Sequence, residues 1–227
     1  MRIAIAIVEA IILAMGVWVY LARADVLKAK NFSERTKALL GCRKLIKIYA
    51  AVALCALVFL AIWQEYVYAY NPFVINLKHV ALVGLLFPLA YEDFFIRRIS
   101  NKVILAGLII RAVFFILEAV FCTEMFFNIL KQSLLGFLVG VAFLIIGTVI
   151  IRQGIGMGDV KMIMMMGLFQ GLYPVLISLM FSLVVSFFTA VVLLIRKAKG
   201  RKDTLPFAPN VLVGTFVSIA LSTPRFM

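Results

Sequence analysis

The chain has 227 residues, 65% of them hydrophobic, and a mean hydropathy of +1.14. Soluble domains are about 45–50% apolar, so this composition excludes a soluble enzyme or binding module and calls for an integral membrane protein. The net charge of +13 is divided among short segments between apolar runs, a distribution that argues against a nucleic-acid partner and for a signal that orients the chain in a bilayer.

A helix crosses the hydrocarbon with about 20 apolar residues. Eight spans are expected on that basis: about 3–22, 46–64, 77–92, 103–122, 134–151, 160–169, 174–195 and 207–222. The fold class is therefore all-α, a polytopic membrane helix bundle. The first span is a retained helix rather than a signal peptide, because its start carries Arg2 alone and basic residues follow it. The sixth span is short. Gly171 and Pro174 interrupt it, so it is either a half-span or joined to its neighbour by a tight turn.

Lys and Arg alternate sides. Arg23, Lys28, Lys30, Arg35, Lys37, Arg43, Lys44 and Lys47 follow span 1; Arg97, Arg98 and Lys102 follow span 3. Arg152 and Lys161 flank the fifth connection, and Arg196, Lys197, Lys199, Arg201 and Lys202 follow span 7. The positive-inside rule puts these four loops in the cytoplasm and both termini outside.

Two carboxylates then fall at the same cytoplasmic boundary of the cell membrane. Asp93 ends span 3 in Tyr91-Glu92-Asp93, and a loop is expected from there to Ile99-Ser100-Asn101. Asp159 opens span 6 in Gly156-Met157-Gly158-Asp159. Carboxylates at a membrane boundary are costly to place and mark functional positions. The blander readings are a solvated helix end for Asp93, paired with Arg97 or Arg98, and a helix cap for Asp159. Held together, the two would share one proton, with one apparent pKa raised and the other lowered. That is the chemistry of an aspartic protease, which needs neither metal nor cofactor.

Other features have structural readings. None of the three cysteines (Cys42, Cys55, Cys122) stands in a CxxC pair, and His79 has no second soft ligand at helical spacing, so His79 reads as an interfacial residue and no metal is expected. Gly136, Gly140 and Gly147 give span 5 a face for close helix packing. Met162, Met164, Met165 and Met166 read as bundle core, or alternatively as a cradle for an apolar substrate helix. Lys161 reads as a headgroup contact, or alternatively as a group that tunes Asp159. Glu9, Arg111 and Glu118 lie inside spans, and Arg111 with Glu118 reads as a structural ion pair.

Gly-x-Gly-Asp followed by Val160-Lys161, with Asp93 and Ile99-Ser100-Asn101 upstream, resembles the type IV prepilin peptidases, membrane aspartic proteases of the GxGD class related to the archaeal preflagellin peptidases. Leu205-Pro206-Phe207-Ala208-Pro209 is similar to the Pro-Phe-x-Pro segment before that family's last helix. The resemblance covers about 77–222. It implies a six-helix peptidase core over 77–223, preceded by two helices and a short basic loop (23–45) within 1–76. It further implies Asp93 and Asp159 as the catalytic pair, with Gly156, Gly158, Lys161 and Asn101 supporting. The implied substrate is a prepilin-like precursor with a short basic leader and an apolar stem held in the lipid bilayer. Two departures stand out. Ser100 occupies a usual proline position, so the loop after Asp93 is expected to be looser. The paired-cysteine domain linked to N-methylation is replaced by 23–45 with Cys42 alone, so methyltransferase activity is not expected; loop 23–45 reads as a contact for anionic lipid. The competing reading is a transporter or a proton or cation relay using Asp93, Asp159, Glu9, Arg111 and Glu118, which midplane carboxylates and broken helices would favour.

Overall fold

The computed structural model describes residues 1–26, 44–149, 156–195 and 206–221. Most of loop 23–45 with Cys42, together with Arg152, Gly154, the basic run 196–202 and Leu205, lies outside the described residues.

The described residues form the helices α1 (Arg2–Val26), α2 (Lys44–Val67), α3 (Phe73–Ile96), α4 (Asn101–Phe121), α5 (Phe126–Val149), α6 (Met157–Gln170), α7 (Leu172–Ile195) and α8 (Ala208–Leu221), with a 3₁₀ turn at Thr123–Met125. Among the described residues, six helices are long and apolar enough to cross a membrane, and α8 is a shorter apolar helix. Ile12, Met15, Val52, Phe59, Ile116, Phe187 and Phe188 all face outward. Such a surface suits hydrocarbon, and helices suit it because their backbone hydrogen bonds are met internally. The chain is an all-α, multi-pass membrane bundle.

Helix α3 is the centre of the bundle. Its apolar window is 89% buried, against 22–33% for the other five long helices, and it contacts α1, α2, α4, α6 and α8. The packing surfaces are legible in the residues. Ala6, Ala10, Ala14, Val17 and Leu21 recur every three or four positions and form the buried stripe of α1. Pro88 lies inside the continuous α3 and removes one backbone donor, and the Tyr49 hydroxyl donates to the neighbouring Phe87 carbonyl at 2.7 Å.

Helices α5 and α6 meet backbone to backbone at Gly136 and Gly167, where a Cβ on either residue would strike the other's carbonyl group. Gly140 packs as closely on Met164. This is the small-residue contact expected of span 5. At Gly171 (φ 85°) the chain turns from α6 into α7 within one residue. Of the two arrangements expected for the sixth span, the tight turn is the one adopted, and it takes a conformation that only glycine adopts cheaply.

A buried ionic cluster lies near the other end of α3 from Asp93. Glu118 accepts from Lys78 Nζ and Arg111 Nη1, each at 2.8 Å. Arg111 also donates to the Leu168 carbonyl (2.7 Å) and to Ser133 Oγ (3.0 Å), and stacks on Phe115. The expected Arg111–Glu118 pair is present, with Lys78 as a third member. Leu168 is in the last turn of α6, where carbonyls lack helical partners, so Arg111 ties down the end of that helix. Two expectations change here. His79 is 1% exposed and sits inside the bundle rather than at an interface, because it belongs to the central helix. Helix α5 begins at Phe126 and not near 134: the polar residues that delayed the apolar signal are helical, and Ser133 among them is the partner of Arg111.

Candidate active site

Asp93 lies in the last turn of α3, which continues to Ile96, three residues further than the sequence suggested. The helix stops at Arg97, a non-glycine residue in the left-handed region (φ 55°), whose N–H donates to the Asp93 carbonyl. The Asp93 side chain is buried, and its Oδ2 accepts the backbone N–H of Ala208 at 2.8 Å. Ala208 is the first residue of α8. Early helical N–H groups have no partner within their own helix, Pro209 has no N–H to offer, and the helix dipole is positive at this end. Asp93 therefore caps α8 from another helix and is not a solvated helix end.

Asp159 occupies the first turn of α6, ahead of the helix's apolar run. Its carboxyl folds back over Gly156, where a Cβ would come within 2.8 Å of Asp159 Oδ2. Gly158 lies against Ile99, with 2.8 Å from a built Cβ to the Ile99 Cβ. The first glycine leaves room for the carboxyl, and the second lets α6 start directly on the loop that follows Asp93. Burial, and then the charge of Asp93, push the Asp159 carboxyl up to about 6. Gly158 on Ile99 and Lys161 on Asn101 place the start of α6 against the connection that follows Asp93.

The remaining supporting residues also converge. Lys161 is exposed, and its Nζ donates to Asn101 Oδ1 at 3.1 Å, joining the start of α6 to the start of α4. Asp93, Asp159, Gly156, Gly158, Lys161 and Asn101 thus collect where the end of α3 meets the beginnings of α4, α6 and α8. Among the described residues, no three His, Cys, Asp or Glu side chains come together as a metal-binding group.

Three features of this region were not anticipated from the sequence. The Ala208 N–H is a backbone group that no residue pattern announces, although the prolines around it mark a helix start. Ile99 belongs to the Ile99-Ser100-Asn101 segment, but nothing in that segment announces it as the surface on which Gly158 packs. Glu92, next to Asp93, binds Tyr20 and Arg23 of α1, a contact whose only hint is a polar pair near the end of an apolar span.

The chain is thus a multi-pass helical membrane protein with a carboxyl at each of two neighbouring helix ends. A model of the type IV leader peptidase family matches residues 80–195, just over half of the chain, and the chain belongs to that family. No curated protein and no solved structure matches it. The matched segment includes both aspartates but neither α1 nor the α8 amide that binds Asp93.

Proposed function

We propose that this leader peptidase is an aspartic endopeptidase, with Asp93 and Asp159 as its catalytic pair. The observation that carries the reading is the convergence of these two carboxyls, one pushed up to about 6 by burial and by the other's charge, in a chain of a peptidase family. A shared proton gives the pair an acid and a base at once. We assign the acid role to Asp159 and the base role to Asp93, next to the Ala208 N–H. Asp93 takes a proton from water, whose oxygen bonds to the scissile carbonyl carbon. Asp159 gives its proton to the carbonyl oxygen. When the tetrahedral intermediate collapses, the C–N bond breaks, the leaving nitrogen takes the proton held by Asp93, and a hydroxyl of the intermediate returns its proton to Asp159 as the carbonyl re-forms.

The substrate we assign is a pilin-like precursor whose short basic leader is cut off while its apolar stem remains in the bilayer. Loop charge supports cleavage at the cytoplasmic face of the cell membrane, with both termini outside. Asn101, Gly156, Gly158 and Lys161 hold the pair in position. N-methylation of the product is not part of the activity, since the first basic loop carries Cys42 without a partner cysteine.

The test is cleavage of a purified precursor by the purified chain. The parent shortens the precursor, and Asp93→Asn and Asp159→Asn do not. Cleavage that survives either substitution removes the pair from the mechanism, and added methyl donor leaves the product mass unchanged.

A further inference from the structure

The last turns of α1 reach the residues around Asp93. Tyr20 donates its hydroxyl to Glu92 Oε1 at 3.0 Å, and the Tyr20 hydroxyl oxygen accepts from the Ser100 hydroxyl at 2.9 Å. Arg23 donates to the same Glu92 oxygen, and its guanidinium carbon stands 3.9 Å from the centre of the Tyr20 ring. Glu92 precedes Asp93 on α3, and Ser100 is the residue before α4. One phenol therefore spans both ends of the connection between these helices.

That connection is also where the two halves of the site touch. Ile99 is the surface on which Gly158 rests, and Asn101 receives Lys161. The residues flanking Ser100 thus set where α6, and Asp159 on it, lies relative to Asp93. Ser100 is at the N-cap position of α4, where a serine ordinarily bonds a free N–H of its own helix. Its side chain makes no such cap bond, and its hydroxyl goes to Tyr20 instead. The looseness expected from a serine at this position is offset by a strap from α1.

We propose that Tyr20, braced by Arg23, is a positioning residue for the peptidase reaction: from outside the family-matched segment it clamps the α3–α4 connection and so sets the spacing of the catalytic pair. The inference rests on the assignment of Asp93 and Asp159 above. Tyr20 need not touch substrate for this role. Its loss changes how often the carboxyls reach working geometry, not how tightly the precursor binds.

Steady-state cleavage of a purified pilin-like precursor by the detergent-solubilised chain tests this. Tyr20→Phe keeps the ring and removes the hydroxyl; kcat is expected to fall roughly tenfold, the scale of one hydrogen bond to a charged group, with KM within about twofold. Arg23→Lys keeps the charge on Glu92 and retains most of the activity, whereas Arg23→Gln loses it. The Ser100 φ of −73° lies in the range that a proline ring imposes. Ser100→Pro therefore stiffens the connection covalently and restores most of kcat in the Tyr20→Phe background.

Parental kcat in Tyr20→Phe, a rise in KM with kcat held, or no recovery on adding Ser100→Pro overturns the proposal. Asp93→Asn is run alongside. If the parent cleaves and Asp93→Asn does not, normal cleavage by Tyr20→Phe defeats the strap alone. If the parent fails to cleave, or Asp93→Asn cleaves, the catalytic assignment goes and this inference goes with it.

Discussion

The carboxylate of Asp93 is held at 2.8 Å by the backbone N–H of Ala208, 115 residues further along the chain. This contact couples the end of the central helix to the beginning of the last one. Its donor is a main-chain group, so it is removed by proline and by no other natural residue. Proline is well tolerated in the first turn of a helix. Ala208→Pro is expected to cut precursor cleavage by about tenfold or more, on the scale of a charge-assisted hydrogen bond. The melting temperature should move little; a variant that cleaves like the parent excludes the amide from the site.

Gly156 faces the second carboxyl. A methyl group there lies 2.8 Å from Asp159 Oδ2, and the side chain can swing away more easily than the backbone can move. Gly156→Ala is thus predicted to fold normally and to lose most cleavage activity, read by circular dichroism and by precursor shortening. Retained activity would mean that the position of the Asp159 carboxyl is immaterial.

The raised titration of Asp159 also makes a stability prediction. Its value is 3.8 in the absence of the fold and about 6 within it. The folded chain binds this proton more tightly, so the contribution is favourable below about 4 and is lost as pH rises through about 6. Asparagine has no such dependence. Asp159→Asn should therefore be more stable than the parent at pH 7–8, by roughly 1–2 kcal/mol after allowing for solvent screening of a partly exposed group. At pH 4 the two should differ little. Thermal unfolding in detergent across this range decides it, and a stability difference that does not vary with pH would refute the shift.

Glu118 neutralises two buried cations, Lys78 and Arg111. Glu118→Ala leaves both without their carboxylate. The expected cost is about 3–5 kcal/mol, as for other broken buried ion pairs, seen as a lower melting temperature and poor membrane accumulation. Because Arg111 also holds the end of α6, protein that does fold should cleave more slowly.

Gly167 and Gly136 bring α5 and α6 into backbone contact. Gly167→Ala pushes these helices apart and is expected to cost about 1–3 kcal/mol, the usual range for overpacking. The shift propagates along α6 to Asp159, so cleavage falls too. Unchanged melting and cleavage would show that the contact is not tight.

Much of this was legible along the chain, because the signals are local. Twenty apolar residues in a row require a helix in hydrocarbon wherever they occur. Gly156, Gly158 and Asp159 lie within one turn of each other, and Asp93 stands at a span end, so the two carboxyls were visible as candidates. The small-residue face of α5 was visible for the same reason. The start of α5 was misplaced because hydropathy cannot foresee that Ser133 has a buried arginine to bind.

The amino-acid order alone dictated a helical membrane bundle, the approximate limits of its spans, and an acidic residue at each of two helix ends. Only packing determined that Ala208 reaches Asp93, that Tyr20 binds Ser100 across 80 residues, that His79 is enclosed, and that Lys78 joins Arg111 on Glu118. Hydropathy acts on each segment separately, whereas a hydrogen bond between distant residues exists only after α3 has been surrounded and each helix has settled into one rotation and one depth.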